Sequence, residues 1–277
     1  MKVYASTACL SGLGLRETLD LYRQAGIRHV ELGAFGHGRG LSPIMSLRDE
    51  PFEFVVHNYF PPPDEPFYVN LASADDELRR RSLDFVRQRI ELTSALGSTL
   101  YSVHAGYVMD PIGFDGRSLV FDEDGDPDAA LARFRETLAE ALAHAAEHGV
   151  ELIVENNVCV EGHEGKLLLQ TAHEFEQVPE VGILVDTGHL NVSAHTLGFN
   201  RAEFVSRLAP RIRAYHLHDN DGIVDTHAPL APGSWVLDLP FADRVPIVEA
   251  RFANVEELRR HLDWVGQAFS LSQKAVT

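Results

Sequence analysis

Apolar residues in this chain gather into short runs, and six of those runs end in a residue able to bind a metal ion. They are EFVVH (Glu53–His57), TLYSVH (Thr99–His104), ELIVE (Glu151–Glu155), VGILVD (Val181–Asp186), IRAYH (Ile212–His216) and VPIVE (Val245–Glu249). Runs of this length, separated by patterns of helical period, predict buried parallel strands. Strands are expected at Lys2–Ser6, His29–Gly33, Glu53–Tyr59, Thr99–His104, Glu151–Asn156, Val181–Asp186, Ile212–His218 and Val245–Ala250. Helices are expected at Leu15–Ala25, Asp75–Leu96, Ala129–His148, Lys166–Gln177, Arg201–Leu208 and Val255–Phe269, with Gly26 stopping the first. Ala34–Pro51 is punctuated by Gly and Pro and holds at most a short helix, and Asp219–Asp243 is too rich in both for a full one. Eight strands at intervals of roughly 30 residues predict one α/β domain over residues 1–277, a (β/α)8 TIM barrel. In such a barrel the strand ends converge at the C-terminal face, where the active site lies.

Composition narrows the function. The 45% apolar content can fill a large core, and no apolar stretch approaches the roughly 20 residues that span a bilayer. The chain opens on MKVYASTACL, a strand pattern without signal-peptide features. Two distant cysteines, Cys9 and Cys159, fit a reducing cytoplasm. The formal charge of −17 argues against a nucleic-acid partner, which a basic stripe would serve. The longest basic run, Arg79–Arg81, falls in a helical pattern and reads as a solvated face. None of the three lysines lies in the apolar part of a strand, which argues against a buried Schiff base.

The candidate chemistry lies at the strand ends. Glu155, Asp186, His216 and Glu249 close four adjacent strands and offer three carboxylates and one imidazole. Each alone reads as a helix cap or a loop hydrogen bond; four at corresponding positions read as ligands of Zn²⁺, Mn²⁺, Co²⁺ or Mg²⁺. His57 and His104 close strands three and four, His189 follows Asp186 by three residues, and Asp225 and His227 lie in the loop after strand seven. Glu31 and Arg251 are candidate substrate contacts; Arg251, two residues past Glu249, is expected on the same strand face, with a surface salt bridge an equal alternative. His144 and His148 stand four apart on an Ala-rich helix, where packing or solvation explains them more simply than a metal. Gly12-Leu-Gly14 and Gly36-His-Gly38-Arg-Gly40 complete no phosphate-binding fingerprint and read as turns.

The motifs VHNYF, SVHAG, VENN, VDTGHLN, YHLHDNDG…DTH and IVE resemble the xylose isomerase-like TIM-barrel superfamily over nearly the whole chain. That superfamily contains sugar isomerases and epimerases together with apurinic/apyrimidinic endonuclease IV. The segment YVNLASADDELRRRSLDFVRQRIELTSALGSTLYSVHAG is similar to the endonuclease branch. The resemblance implies two patterns. The isomerase pattern places one ion on Glu155, Asp186, His216 and Glu249, with the two glutamates moving protons and His189 touching a small carbohydrate substrate. The endonuclease pattern places three zinc ions on those four residues together with His57, His104, His189, Asp225 and His227. A metal-dependent isomerase or epimerase is the expected function, phosphoester hydrolysis the alternative, and a barrel that only binds a sugar a third. Oligomeric state, homo-oligomers included, stays open.

Overall fold

The computed structural model describes residues 2–33, 42–115, 118–122 and 124–275. The Gly36–Gly40 motif and His37 lie outside them. Eight strands close a barrel: β1 (Tyr4–Ser6), β2 (His29–Leu32), β3 (Glu53–His57), β4 (Leu100–His104), β5 (Glu151–Glu155), β6 (Gly182–Asp186), β7 (Ile212–Leu217) and β8 (Val245–Val248). Every neighbouring pair is parallel, and β8 closes onto β1. The register sets His104 beside Glu155 and Asp186 beside His216. A two-stranded antiparallel ribbon, Gly113–Phe114 with Leu119–Val120, decorates the loop after β4.

The helices are α1 (Leu15–Gln24), α2 (Ser42–Met45), α3 (Asp76–Ala95), α4 (Pro127–Glu147), α5 (Ala172–Glu176), α6 (Thr187–Leu197), α7 (Arg201–Leu208) and α8 (Val255–Ala275). Polar side chains fix their starts. Asp75 accepts from the Glu77 and Leu78 N–H groups, and Asp126 caps α4 ahead of Pro127. The expected helix Lys166–Gln177 shortens to α5 because Thr171 and Glu174 form a capping box immediately before Ala172. Conversely α6, unexpected from the pattern, starts directly from the end of β6, with Asp186 as its cap and Gly198 (φ 70°) in the left-handed conformation ending it. Among the described residues no helix is long and apolar enough to cross a membrane.

Side chains alternate along the strands. One set, Tyr4, Val55, Leu100, Ile153, Leu184, Ala214 and Ile247, fills the barrel interior as a small cluster of its own. The intervening residues, among them Val56, Val103, Val154, Val185, Tyr215 and Val248, join the large outer core beneath the helices. Two residues beyond each interior member comes Ser6, His57, Ser102, Glu155, Asp186, His216 or Glu249. The same inward face thus turns from apolar to polar within one step.

Candidate metal centre

His216 is the hub. Its Nε2 lies 2.8 Å from Glu31 Oε2, so the neutral ring carries its proton there and its lone pair on Nδ1. That Nδ1 is buried without a hydrogen-bond partner. It faces Glu155 Oε1 at 3.4 Å, Asp186 Oδ2 at 3.5 Å and Glu249 Oε2 at 3.2 Å. The second Glu155 oxygen, also buried and unpartnered, faces His57 Nε2 at 3.4 Å and His104 Nε2 at 3.5 Å. A third group gathers on Asp225, whose Oδ2 is 3.2 Å from His227 Nε2 and 3.4 Å from His189 Nε2. All nine expected donors therefore meet at the C-terminal face, in three groups joined through Glu155 and His189.

The surroundings hold these rings in ligand-ready orientation. His189 and His227 place Nδ1 3.0 Å from the carbonyls of Asn156 and Glu249, acceptors that take the Nδ1 N–H and turn each Nε2 toward Asp225. His57 Nδ1 contacts Ser102 Oγ at 2.9 Å. The Asp186-Thr-Gly-His189 turn is similarly occupied. Asp186 accepts from the His189 N–H, while Thr187 donates to the His218 carbonyl at 2.6 Å. Gly188 is required by close approach, since a Cβ there would fall 2.0 Å from His218 Cε1.

Electrostatics follow from burial among imidazoles and carboxylates. Burial pushes the Glu155 and Asp186 carboxyls upward, but the surrounding imidazoles outweigh it and hold both well below the usual carboxylate range. Burial lifts Glu249 instead, to about 7. Burial also lowers His57, to about 4, keeping it neutral. His216 and His189 are raised because the carboxylates around them overcome burial, so a cation entering here would displace protons.

The donor set fits a cation. Its N···O separations are too long for charge-assisted hydrogen bonds, which run at about 2.7–2.9 Å. They match the spacing of ligands around one ion, about 3.3 Å between corners of a tetrahedron with bonds near 2.05 Å. The unpartnered His216 Nδ1 and Glu155 Oε2 are the atoms such an ion would satisfy.

Three residues depart from expectation. Glu31, expected at the rim, is completely buried, with Oε2 2.8 Å from His216 Nε2. Arg251 is exposed and lies past the end of β8, beyond the reach of strand alternation; its backbone N–H bonds to the His227 carbonyl. His218, unassigned from the sequence, is fully buried, with Nε2 2.8 Å from Asp186 Oδ2 and its ring stacked on His227. The His-x-His spacing of 216 and 218 is the signal that would have found it.

The profile of the xylose isomerase-like TIM barrel matches residues 19–262. The chain belongs to that family. A probable endonuclease 4 of Thermoplasma acidophilum is 28% identical over 55% of this chain and 50% of its own length. Fructoselysine 3-epimerase of Shigella flexneri is 25% identical over 68% of the chain and 62% of its own. The matches thus span only half to three fifths of these curated relatives. A solved D-tagatose 3-epimerase-like protein shares the fold at a TM-score of 0.73 and 21% identity, with 100% of both chains covered. Family members similar to this chain therefore carry names from both an epimerase and an endonuclease branch.

Proposed function

We propose that this chain is a divalent-metal-dependent isomerase or epimerase of a small sugar or related polyol, centred on Glu155, Asp186, His216 and Glu249. The observation that carries this reading is the buried, unpartnered His216 Nδ1 facing three carboxylate oxygens from three strand ends. A bound cation would polarise a substrate carbonyl and acidify the neighbouring C–H. Asp186 and His216 would hold it, fixed by the Asp186 cap on α6 and by Glu31. Glu249 is more exposed than Glu155, at 13% against 1% of the side chain, so of the two glutamates it is the better placed to meet a substrate proton. Glu155 is assigned the partner proton transfer, and His189, partly exposed at the rim, a substrate hydroxyl.

A second reading, phosphoester hydrolysis on several zinc ions, is favoured by one observation: Glu155 presents its oxygens to two different imidazole groups, as a bridging carboxylate would. With a net charge of −17 its substrate would be a small phosphoester rather than duplex DNA. The two readings separate on one preparation. Metal content is measured alongside incorporation of solvent deuterium into a panel of ketoses and aldoses, and hydrolysis of a bis(nitrophenyl) phosphate. Deuterium incorporation that survives H104A supports the isomerase. Diester hydrolysis lost in H104A, with about three zinc ions in the central site of the parent, replaces it by the hydrolase.

A further inference from the structure

The outer surface of the barrel carries a second histidine group, remote in the fold from the strand ends. Helices α3 and α4 lie side by side, and their facing residues advance together one turn at a time. Arg87 pairs with Glu140 at 2.9 Å; one turn on, Glu91 Oε1 lies 3.2 Å from His144 Nε2; at the next, Ser94 Oγ donates to the His148 carbonyl at 2.9 Å. His144 and His148 are four residues apart on α4, hence on one face, and their ring centroids are 4.3 Å apart. One donor atom from each of Glu91, His144 and His148 falls within 4.8 Å of the other two.

We propose that Glu91, His144 and His148 form a separate transition-metal site that ties α3 to α4. Two imidazoles and a carboxylate form a donor set suited to Zn²⁺, Ni²⁺ or Cu²⁺, with a position left for water. The tautomers agree with this role. His148 Nδ1 lies 2.9 Å from the His144 carbonyl, an acceptor that demands an N–H and leaves the lone pair on Nε2. His144 Nε2 is buried and makes no hydrogen bond, although a carboxylate oxygen is 3.2 Å away, a tetrahedral edge rather than a hydrogen-bonding distance. An ion there would satisfy that nitrogen and neutralise Glu91, whose side chain is 54% exposed and so can turn to meet it. The site uses nothing from the strand-end centre, so its fate is independent of the reaction assigned there.

Zinc titrated into the full-length, chelator-stripped chain tests it, with zinc content measured after dialysis and circular dichroism confirming the fold. Wild type is expected to hold one more zinc per chain than H148A or H144A, and E91Q to hold that ion at least tenfold more weakly. Zinc should also raise the melting temperature of wild type more than that of H148A. Equal zinc content in wild type and the folded histidine variants overturns the site. Should neither histidine variant fold, a titration of E91Q superimposing on wild type overturns it instead. Zinc counts for the strand-end centre are accordingly best taken on H148A.

Discussion

The barrel interior has two layers built on the same inward faces, and they obey opposite rules. The lower layer, Tyr4, Val55, Leu100, Ile153, Leu184, Ala214 and Ile247, is held together by apolar contact. The upper layer, one alternation further along, is buried too, Glu249 less fully than the rest, but holds carboxylates and imidazoles whose oxygens and nitrogens are in part unpartnered. Burial stabilises the first and strains the second, because a polar atom taken out of water without a partner costs free energy. A fold keeps such a layer only if something else satisfies it. The lower layer is therefore read as stability and the upper as chemistry.

Substitutions break this comparison in graded ways. The largest effect is expected for H216A, which removes the hub and leaves Glu31, Glu155, Asp186 and Glu249 without their shared imidazole. Metal at the four-donor centre and turnover should both vanish, and unfolding in urea should lose about 3–5 kcal/mol, as when one partner of a buried charged set is removed. Next comes L184A in the lower layer. It should cost about 2–5 kcal/mol through the cavity it opens, with metal content per chain unchanged; a lost ion would show the two layers to be one unit. E31Q should leave stability close to wild type yet weaken metal affinity about 10–100-fold, the usual effect of losing a carboxylate behind a ligand histidine. Unchanged affinity in a metal titration would remove Glu31 from its positioning role.

The smallest effect lies outside both layers. His261, packed against Phe252 and Trp264, is lowered by burial to about 4 from an ordinary 6.5. Its folded pKa lies below its unfolded one, so its contribution to stability is complete above about pH 6.5. It is lost progressively as the pH falls toward 4, where only the unfolded chain takes up the proton. H261Q should flatten that acid limb in denaturation series, and a limb identical to wild type would assign it to other groups.

Most of the barrel could be read from the chain because each strand ends where its apolar run ends, and there the alternation delivers a polar residue inward. That logic found Glu155, Asp186 and His216 together with their places. It failed where a rule outran its element. Arg251 was put on the Glu249 face by alternation, yet β8 stops at Val248. Helix α6 carries no clean amphipathic stripe, since Leu190, Val192, Ser193 and Ala194 are all buried, so periodicity could not announce it. Glu31 has the sequence signature of a rim residue; only closure of the barrel reveals that β2 brings it beneath His216. His218 fell within the expected strand Ile212–His218 but received no role; it lies one residue past β7, where the Thr187 hydroxyl donates to its carbonyl.

The central claim is that the strand-end donors share a cation. Crystals grown with zinc or manganese, and an anomalous difference map recorded at the absorption edge of that metal, test it directly. The account predicts a peak about 2.0–2.3 Å from His216 Nδ1 and from oxygens of Glu155, Asp186 and Glu249. A map without a peak among those four side chains, from crystals saturated with metal, would contradict it.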